Sequence, residues 1–112
     1  MLRAMETRSD ILARLEATIV ERLGASPDAS YVASLHKRGL PVIARKLGEE
    51  ATEAVVAALS GEREELVGEA ADVIFHLLVL LAEKDISLDE VLAELDRREG
   101  TSGLVEKANR SD

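Results

Sequence analysis

The sequence predicts an all-α fold: a helical bundle of four to five helices, built on a long antiparallel helix hairpin and completed by dimerisation. Apolar residues recur at helical spacing along the 112 residues, and no convincing segment alternates with the period of two typical of a β-strand. Two long helical segments meet at a short turn around Gly61, so we expect them to lie antiparallel. Both are apolar around most of their circumference, which favours a dimer over the alternative, a monomeric four-helix bundle.

The first two predicted helices are short. In residues 10–23, apolar side chains repeat every four residues and form one stripe: Ile11, Leu15, Ile19 and Leu23. Gly24 ends this helix, and the segment ASPDAS at 25–30 supplies turn and capping residues. A short helix, YVASLHKR at 31–38, follows and is closed by Gly39.

The next two predicted helices form the hairpin. Pro41 sits in the first turn of the third helix, where proline is tolerated, and no breaker follows before Ser60 and Gly61. Glu62 opens the fourth helix, which we expect to continue to about Lys84. The chain therefore predicts two helices of similar length on either side of one tight turn.

The last predicted helix begins at a capping box. In SLDE, Ser87 is the expected N-cap and Glu90 reaches back to it, so we expect a helix that runs to about Arg98. Together these elements predict a single domain over residues 1–112. Its N-terminal helix lies within 1–25 and a flexible tail occupies 99–112. That tail is rich in Gly, Ser and charged residues.

Composition and charge exclude several functions. The formal net charge of −8 repels nucleic acid phosphates and anionic membranes, so neither is an expected partner. Tyr31 and Phe75 are the only aromatic residues, which argues against a base-stacking platform and requires an aliphatic core. The absence of cysteine removes disulfides and thiolate metal sites. No apolar stretch is long enough to span a bilayer, so we expect a soluble protein.

Five carboxylates are threaded through the aliphatic sequence of the two long helices: Glu49, Glu50, Glu53, Glu69 and Asp72. On the third helix the three acids share an arc of roughly 100° with Lys46. On the fourth helix the two acids follow one stripe with Glu65 and His76. Folding the hairpin can bring these stripes together, and converging carboxylates repel one another unless a cation neutralises them. Oxygen ligands of this kind suit Mg²⁺ or Mn²⁺, so we hypothesise a divalent metal site.

Two features of this acidic pattern also have ordinary explanations. Acids three and four residues apart on a helix usually form a solvated face. Five of them embedded in aliphatic sequence favour the metal site instead. His76 lies on an apolar helix, where a lone histidine is more often a hydrogen-bonded core residue than a ligand, so we expect it to be a neighbour of the site.

The acidic motifs EEATE at 49–53 and EAAD at 69–72 resemble the signature of the MazG-like, all-α nucleoside triphosphate pyrophosphohydrolases. Within that superfamily, four segments are similar in order and spacing to the phosphoribosyl-ATP pyrophosphatase family of histidine biosynthesis: SYVASL, KLGEEATEAV, EAADVIFHLLVLLAEKDISLDEVLAEL and SGLVEKANR. The resemblance covers about residues 30–110. It implies Mg²⁺-dependent hydrolysis of phosphoribosyl-ATP to phosphoribosyl-AMP and pyrophosphate by a cytoplasmic homodimer.

The resemblance also implies roles for individual residues. The expected metal ligands are Glu50, Glu53, Glu69 and Asp72. Glu49 is either a further ligand or the base that orients the attacking water, so Glu49 and Glu50 are the candidate catalytic pair. The candidate substrate-binding residues are Lys46, Arg45, Lys37, Ser30, Tyr31, Ser34, His76 and Lys107. Family members commonly carry a basic residue in the place of Val42, and Arg45 is a candidate to supply that charge.

Two other functions remain open from the sequence. One is a house-cleaning pyrophosphohydrolase that uses the same metal site on a free nucleotide such as dCTP or dUTP. The other is a non-catalytic, acidic helical dimer that pairs with a basic partner. The folding of such an adaptor should be indifferent to Mg²⁺, whereas a metal site should respond to it.

Overall fold

The computed structural model describes residues 10–99, which form five α-helices and no β-strand. The helices are α1 (Ile11–Leu23), α2 (Tyr31–Arg38), α3 (Leu40–Ser60), α4 (Arg63–Glu83) and α5 (Leu88–Glu99). The predicted all-α class is confirmed, and each predicted helix is present with bounds close to those expected. Residues 1–9 and 100–112, which include most of the predicted tail, lie outside the described part of the chain.

Local sequence signals set the helix boundaries. The Ser30 side chain caps α2 by accepting a hydrogen bond from the backbone N–H of Ala33 at 3.2 Å. Gly39 ends α2 and precedes α3 with φ 98° and ψ 170°, a conformation that is essentially restricted to glycine. Gly61 ends α3 in the left-handed region, with φ 84°, as expected for a C-terminal glycine. The chain can therefore reverse sharply at both ends of α3.

The capping box at the start of α5 is confirmed. The Ser87 hydroxyl accepts from the backbone N–H of Glu90 at 3.3 Å, and the Glu90 carboxylate accepts from the backbone N–H of Ser87 at 2.8 Å. The backbone N–H of Leu88 donates to the Glu16 carboxylate of α1 at 2.6 Å. This long-range hydrogen bond ties the N-terminus of α5, which has no buried residue of its own, to the first helix.

The core is aliphatic, as the composition requires. Its buried residues come from α1 to α4 and form one cluster: Ile19, Val32, Leu35, Ile43, Leu78 and Val79. This cluster lies where the first turns of α3 meet the last turns of α4, so the core supports the end of the hairpin opposite the Gly61 turn. Towards that turn the apolar residues Val55, Leu59 and Val67 remain exposed.

The two long helices form the predicted antiparallel hairpin. Only Gly61 and Glu62 connect them. Ile43 of α3 packs in the same cluster as Val79 of α4, whereas Glu50 lies beside residues near the middle of α4. The acidic residues therefore occupy the middle of the hairpin, between the core and the turn. Among residues 10–99, no helix is both long enough and apolar enough to cross a membrane.

Candidate metal centre and active site

Three carboxylates meet between the two helices of the hairpin. One oxygen from each of Glu50, Glu69 and Asp72 lies within 4.8 Å of the other two. Glu50 projects from α3, whereas Glu69 and Asp72 are three residues apart and therefore share one face of α4. Glu50 and Glu69 are half-buried and Asp72 is exposed. The sequence-based expectation that the two acidic stripes converge is met for these three residues.

Glu53 joins this group through Glu69. Burial of the Glu69 carboxyl, followed by the close approach and charge of Glu53 and then of Glu50, raises the pKa of Glu69 to about 7. One oxygen of Glu69, Oε2, is buried and has no hydrogen-bond partner. Four predicted metal ligands are thus close together, and one of them carries an unsatisfied buried oxygen.

The donor set fits a hard divalent cation. A buried carboxylate oxygen without a partner is costly, and a bound ion would satisfy it. The three converging groups offer only oxygen, the ligand type that Mg²⁺ and Mn²⁺ prefer. The side chain of Asp72 is exposed, so the cluster also remains open to solvent on one side. The described residues could therefore hold such an ion and leave room for a further oxygen ligand.

Glu49 occupies a different position from the other acids. Its carboxylate lies 3.5 Å from the Arg45 side chain and 3.4 Å from the Lys46 ammonium, both on α3. It does not belong to the group of three whose oxygens converge. The structure thus places two candidate substrate-binding cations and one candidate catalytic carboxylate together, immediately beside Glu50 in sequence. The roles predicted for these three residues remain predictions.

Tyr31 and His76 are joined by a hydrogen bond between α2 and α4. The Tyr31 hydroxyl lies 3.0 Å from His76 Nε2, and His76 Nδ1 lies 2.8 Å from the backbone carbonyl of Asp72. A carbonyl oxygen can only accept, so Nδ1 carries the proton and, in the neutral ring, Nε2 accepts from the tyrosine. His76 is 5% exposed and both of its nitrogens are engaged. This is the hydrogen-bonded core neighbour that the sequence favoured.

The three remaining candidate substrate-binding residues that the structure describes lie on α2 or at its N-cap. Ser30 is buried and uses its hydroxyl to cap α2. Ser34 is half-buried on α2, and Lys37 is exposed near the end of that helix. Lys107 lies outside the described residues. Among the described residues, no hydrogen bond or ion pair joins Ser30, Ser34 or Lys37 to the converging carboxylates.

The cavity beside the acidic group was not expected from the sequence. This cavity of about 250 Å³ adjoins Glu53 and Glu69, and its other lining residues are Thr52, Val56, Ala57 and Glu65. Glu65 lies one helical turn before Glu69 on the stripe that the sequence already identified, although it had no predicted role. The apolar part of the lining had no comparable signal, because alanine and valine recur throughout α3.

The fold and this site together define an all-α protein with a carboxylate cluster, suited to a divalent metal, on an antiparallel helix hairpin. The family model described as phosphoribosyl-ATP pyrophosphohydrolase matches residues 12–99. The chain therefore belongs to the phosphoribosyl-ATP pyrophosphohydrolase family. The resemblance found in the acidic motifs and their flanking segments is confirmed by this match.

Curated relatives agree with the family model. A phosphoribosyl-ATP pyrophosphatase of Novosphingobium aromaticivorans is 67% identical over 103 residues, covering 92% of this chain and 96% of the relative. One from Erythrobacter litoralis is 68% identical, covering 90% of this chain and 97% of the relative. A more distant one from Geobacter metallireducens is 56% identical and covers 95% and 97%, respectively. The similarity thus extends over nearly the whole of each protein.

Metal binding should stabilise the fold through the carboxylate group. A ligand that binds only the native state at a hundredfold excess over its Kd stabilises it by about 2.7 kcal/mol. We therefore expect Mg²⁺ to raise the Tm of the wild-type protein, and we expect the Glu69→Gln and Asp72→Asn variants to lose most of that rise. Glu21→Gln, which removes one exposed carboxylate on α1, is the matched control and should respond like the wild type. An equal rise in all four proteins, measured by thermal unfolding, would contradict the metal site.

The raised pKa of Glu69 should make metal-free stability depend on pH. The folded state favours the protonated carboxyl, so this contribution to stability is complete below the unfolded value of 4.5 and is lost as pH rises through about 7. In chelator, we expect the stability of the wild type relative to Glu69→Gln to decrease between pH 5 and pH 8. Urea unfolding of both proteins across this range measures the difference. A difference that is constant with pH would contradict the assigned environment of Glu69.

Proposed function

We propose that this protein hydrolyses phosphoribosyl-ATP to phosphoribosyl-AMP and pyrophosphate, the second step of histidine biosynthesis, as a Mg²⁺-dependent enzyme of the cytoplasm. The observation that carries the proposal is the convergence of Glu50, Glu69 and Asp72 within a chain of this family. Relatives at 53–68% identity carry the name phosphoribosyl-ATP pyrophosphatase. The proposed partner is the small-molecule substrate, with no nucleic acid and no membrane.

The metal would be held by Glu50, Glu53, Glu69 and Asp72, with Mn²⁺ as an alternative to Mg²⁺. Bound there, a divalent cation supplies positive charge to the phosphate oxygens and lowers the pKa of an attacking water. The protein's own part is to fix these four carboxylates on two helices that cannot separate without breaking the hairpin. Fixed ligands of this kind need no rearrangement when charge moves towards the leaving group.

Residues on the first half of α3 supply the remaining functional groups. Lys46 and Arg45 provide positive charge one turn before the metal ligands, where it can meet phosphate oxygens. Glu49 lies between these cations and the carboxylate cluster, and we assign it to accepting the proton of the water. Its ion pairs with Arg45 and Lys46 fix the position of the carboxylate on α3.

We also propose that the protein is a homodimer that buries the turn end of the hairpin. Leu59 is 83% exposed and Val67 is 63% exposed, with Val55 and Val56 beside them on α3. Exposed apolar side chains grouped in this way are typical of a surface that another protein covers. A second copy of the chain would extend the helical bundle beyond the small core of one protomer.

Pyrophosphate release tests the reaction. We expect release from phosphoribosyl-ATP with Mg²⁺, none in chelator, and much less from ordinary nucleoside triphosphates. Since changes to residues that merely support metal ligands already cost about 10–100-fold, Glu69→Gln and Asp72→Asn should each lose at least about 100-fold in kcat/KM. Glu21→Gln should retain wild-type activity. Release from free nucleotides such as dCTP alone would instead assign the house-cleaning function.

A charged residue at the turn end of the hairpin tests the dimer. In a monomer Leu59→Glu would be harmless, because the side chain is already in solvent. In the proposed dimer it would bury an unpaired charge, which is strongly destabilising, so we expect the variant to be monomeric. Val20→Glu, a similar change at an exposed position of α1, is the control. Light scattering after size-exclusion chromatography measures the mass, and a dimeric Leu59→Glu protein would refute the proposed interface.

A further inference from the structure

Phosphoribosyl-ATP has groups besides its triphosphate that the protein must bind. Phosphoribosyl-ATP carries a second ribose phosphate on its adenine ring, so the adenine lies between two phosphorylated ends. A protein with a net charge of −8 must supply specific contacts for the second phosphate, since its overall field repels it. The carboxylate cluster accounts for one end of this molecule. The structure offers partners for the adenine and the second phosphate on α2.

Tyr31 presents an aromatic surface next to the metal centre. Its hydroxyl is held by His76, whose ring is in turn bonded to the backbone of the metal ligand Asp72. Its ring stacks beside that of Phe75, with centroids 6.2 Å apart and planes inclined by 21°. Tyr31 nevertheless remains accessible to solvent, since the residue is 48% exposed. The composition argues against a platform of several aromatic rings, but folding brings both aromatic residues together at the site, and one of them stays accessible for stacking.

Arg38 lies on the same face of α2 as Tyr31. Seven residues separate them, which corresponds to a rotation of about 20° and a rise of about 10.5 Å along the helix. Arg38 is exposed and makes no hydrogen bond or ion pair with another residue between 10 and 99. Lys37 points in a different direction, because it precedes Arg38 by one residue and is turned by about 100°.

These positions match the order of groups in the substrate. Moving away from the carboxylates, the surface presents first a fixed aromatic ring and then an unpaired guanidinium. An arginine side chain and an extended ribose phosphate can together span the rise between them. Arginine is also the side chain best suited to bind a terminal phosphate, because two of its N–H groups can donate in parallel.

We propose that Tyr31 stacks against the adenine ring of phosphoribosyl-ATP and that Arg38 binds the phosphate of its second ribose. This inference rests on the function proposed above and adds the direction of the substrate on the protein. The triphosphate lies on the hairpin, and the second phosphate lies at the C-terminal end of α2. Arg38 then distinguishes phosphoribosyl-ATP from nucleotides that lack the second phosphate.

Kinetics of two variants test the two contacts separately. With phosphoribosyl-ATP, Arg38→Gln should raise KM about tenfold with little change in kcat, because the lost contact is the same in the ground and transition states. As inhibitors, phosphoribosyl-AMP should weaken about tenfold against this variant while AMP does not. Tyr31→Leu should weaken both inhibitors by about tenfold through loss of stacking, whereas Tyr31→Phe keeps the ring and should bind both like the wild type.

The controls separate this inference from the proposed function. Arg22→Gln removes an exposed positive charge from α1 and should leave KM and both inhibition constants unchanged. If the wild type released no pyrophosphate from phosphoribosyl-ATP, the proposed function itself would fail. The assignment of Arg38 is wrong if the wild type is active but Arg38→Gln has an unchanged KM. It is also wrong if this variant loses affinity for AMP and for phosphoribosyl-AMP by the same factor. Because Arg38 is exposed and unpaired within residues 10–99, its variant should fold even if Tyr31→Leu does not.

Discussion

The packing of α3 against α4 is the constraint on which the whole site depends. It brings carboxylates from two helices within 4.8 Å of one another, against their mutual repulsion. Two unit charges 4 Å apart repel by about 1 kcal/mol in water and about 4 kcal/mol near a protein surface. Burying a large aliphatic side chain contributes about 1.5–3 kcal/mol, and Ile43, Leu78 and Val79 are nearly or fully buried at the base of the hairpin. Aliphatic packing at one end can therefore hold the acids together in the middle.

The same arrangement explains how an acidic protein could act on a polyanion. Most of its charge has the same sign as the substrate, and cations near the site are few. Arg45 and Lys46 are already paired with Glu49, so their charge is partly compensated. A divalent cation among the carboxylates would reverse the sign of the local potential where the phosphates must lie. Because many carboxylates surround the site, phosphate can bind there only when a metal ion is bound as well.

Much of the fold could be predicted from the sequence because its signals are local. Ser87 and Glu90 formed the capping box, Gly61 ended α3, and the acidic spacing identified the three carboxylates that converge. Contacts that depend on how α2 packs against α4 could not be predicted from local sequence signals. Tyr31 and His76 are 45 residues apart, and no periodicity relates them. Glu49 is separated from the other acids because it pairs with Arg45 and Lys46, which lie four and three residues before it on α3. This spacing is visible in the sequence, but Glu49 also fits the acidic metal motif.

The connection of two residues between α3 and α4 has a consequence for how such a chain can vary in length. A connection this short cannot accommodate an extra residue by itself, so one inserted residue would turn α4 through about 100° about its own axis. Glu69 and Asp72 would then face away from Glu50, and the same rotation would turn Leu78 and Val79 out of the core. Insertions and deletions at this bend are therefore expected to disrupt the carboxylate group and the core packing together. The more permissive place for length changes is the largely exposed segment that joins α1 to α2.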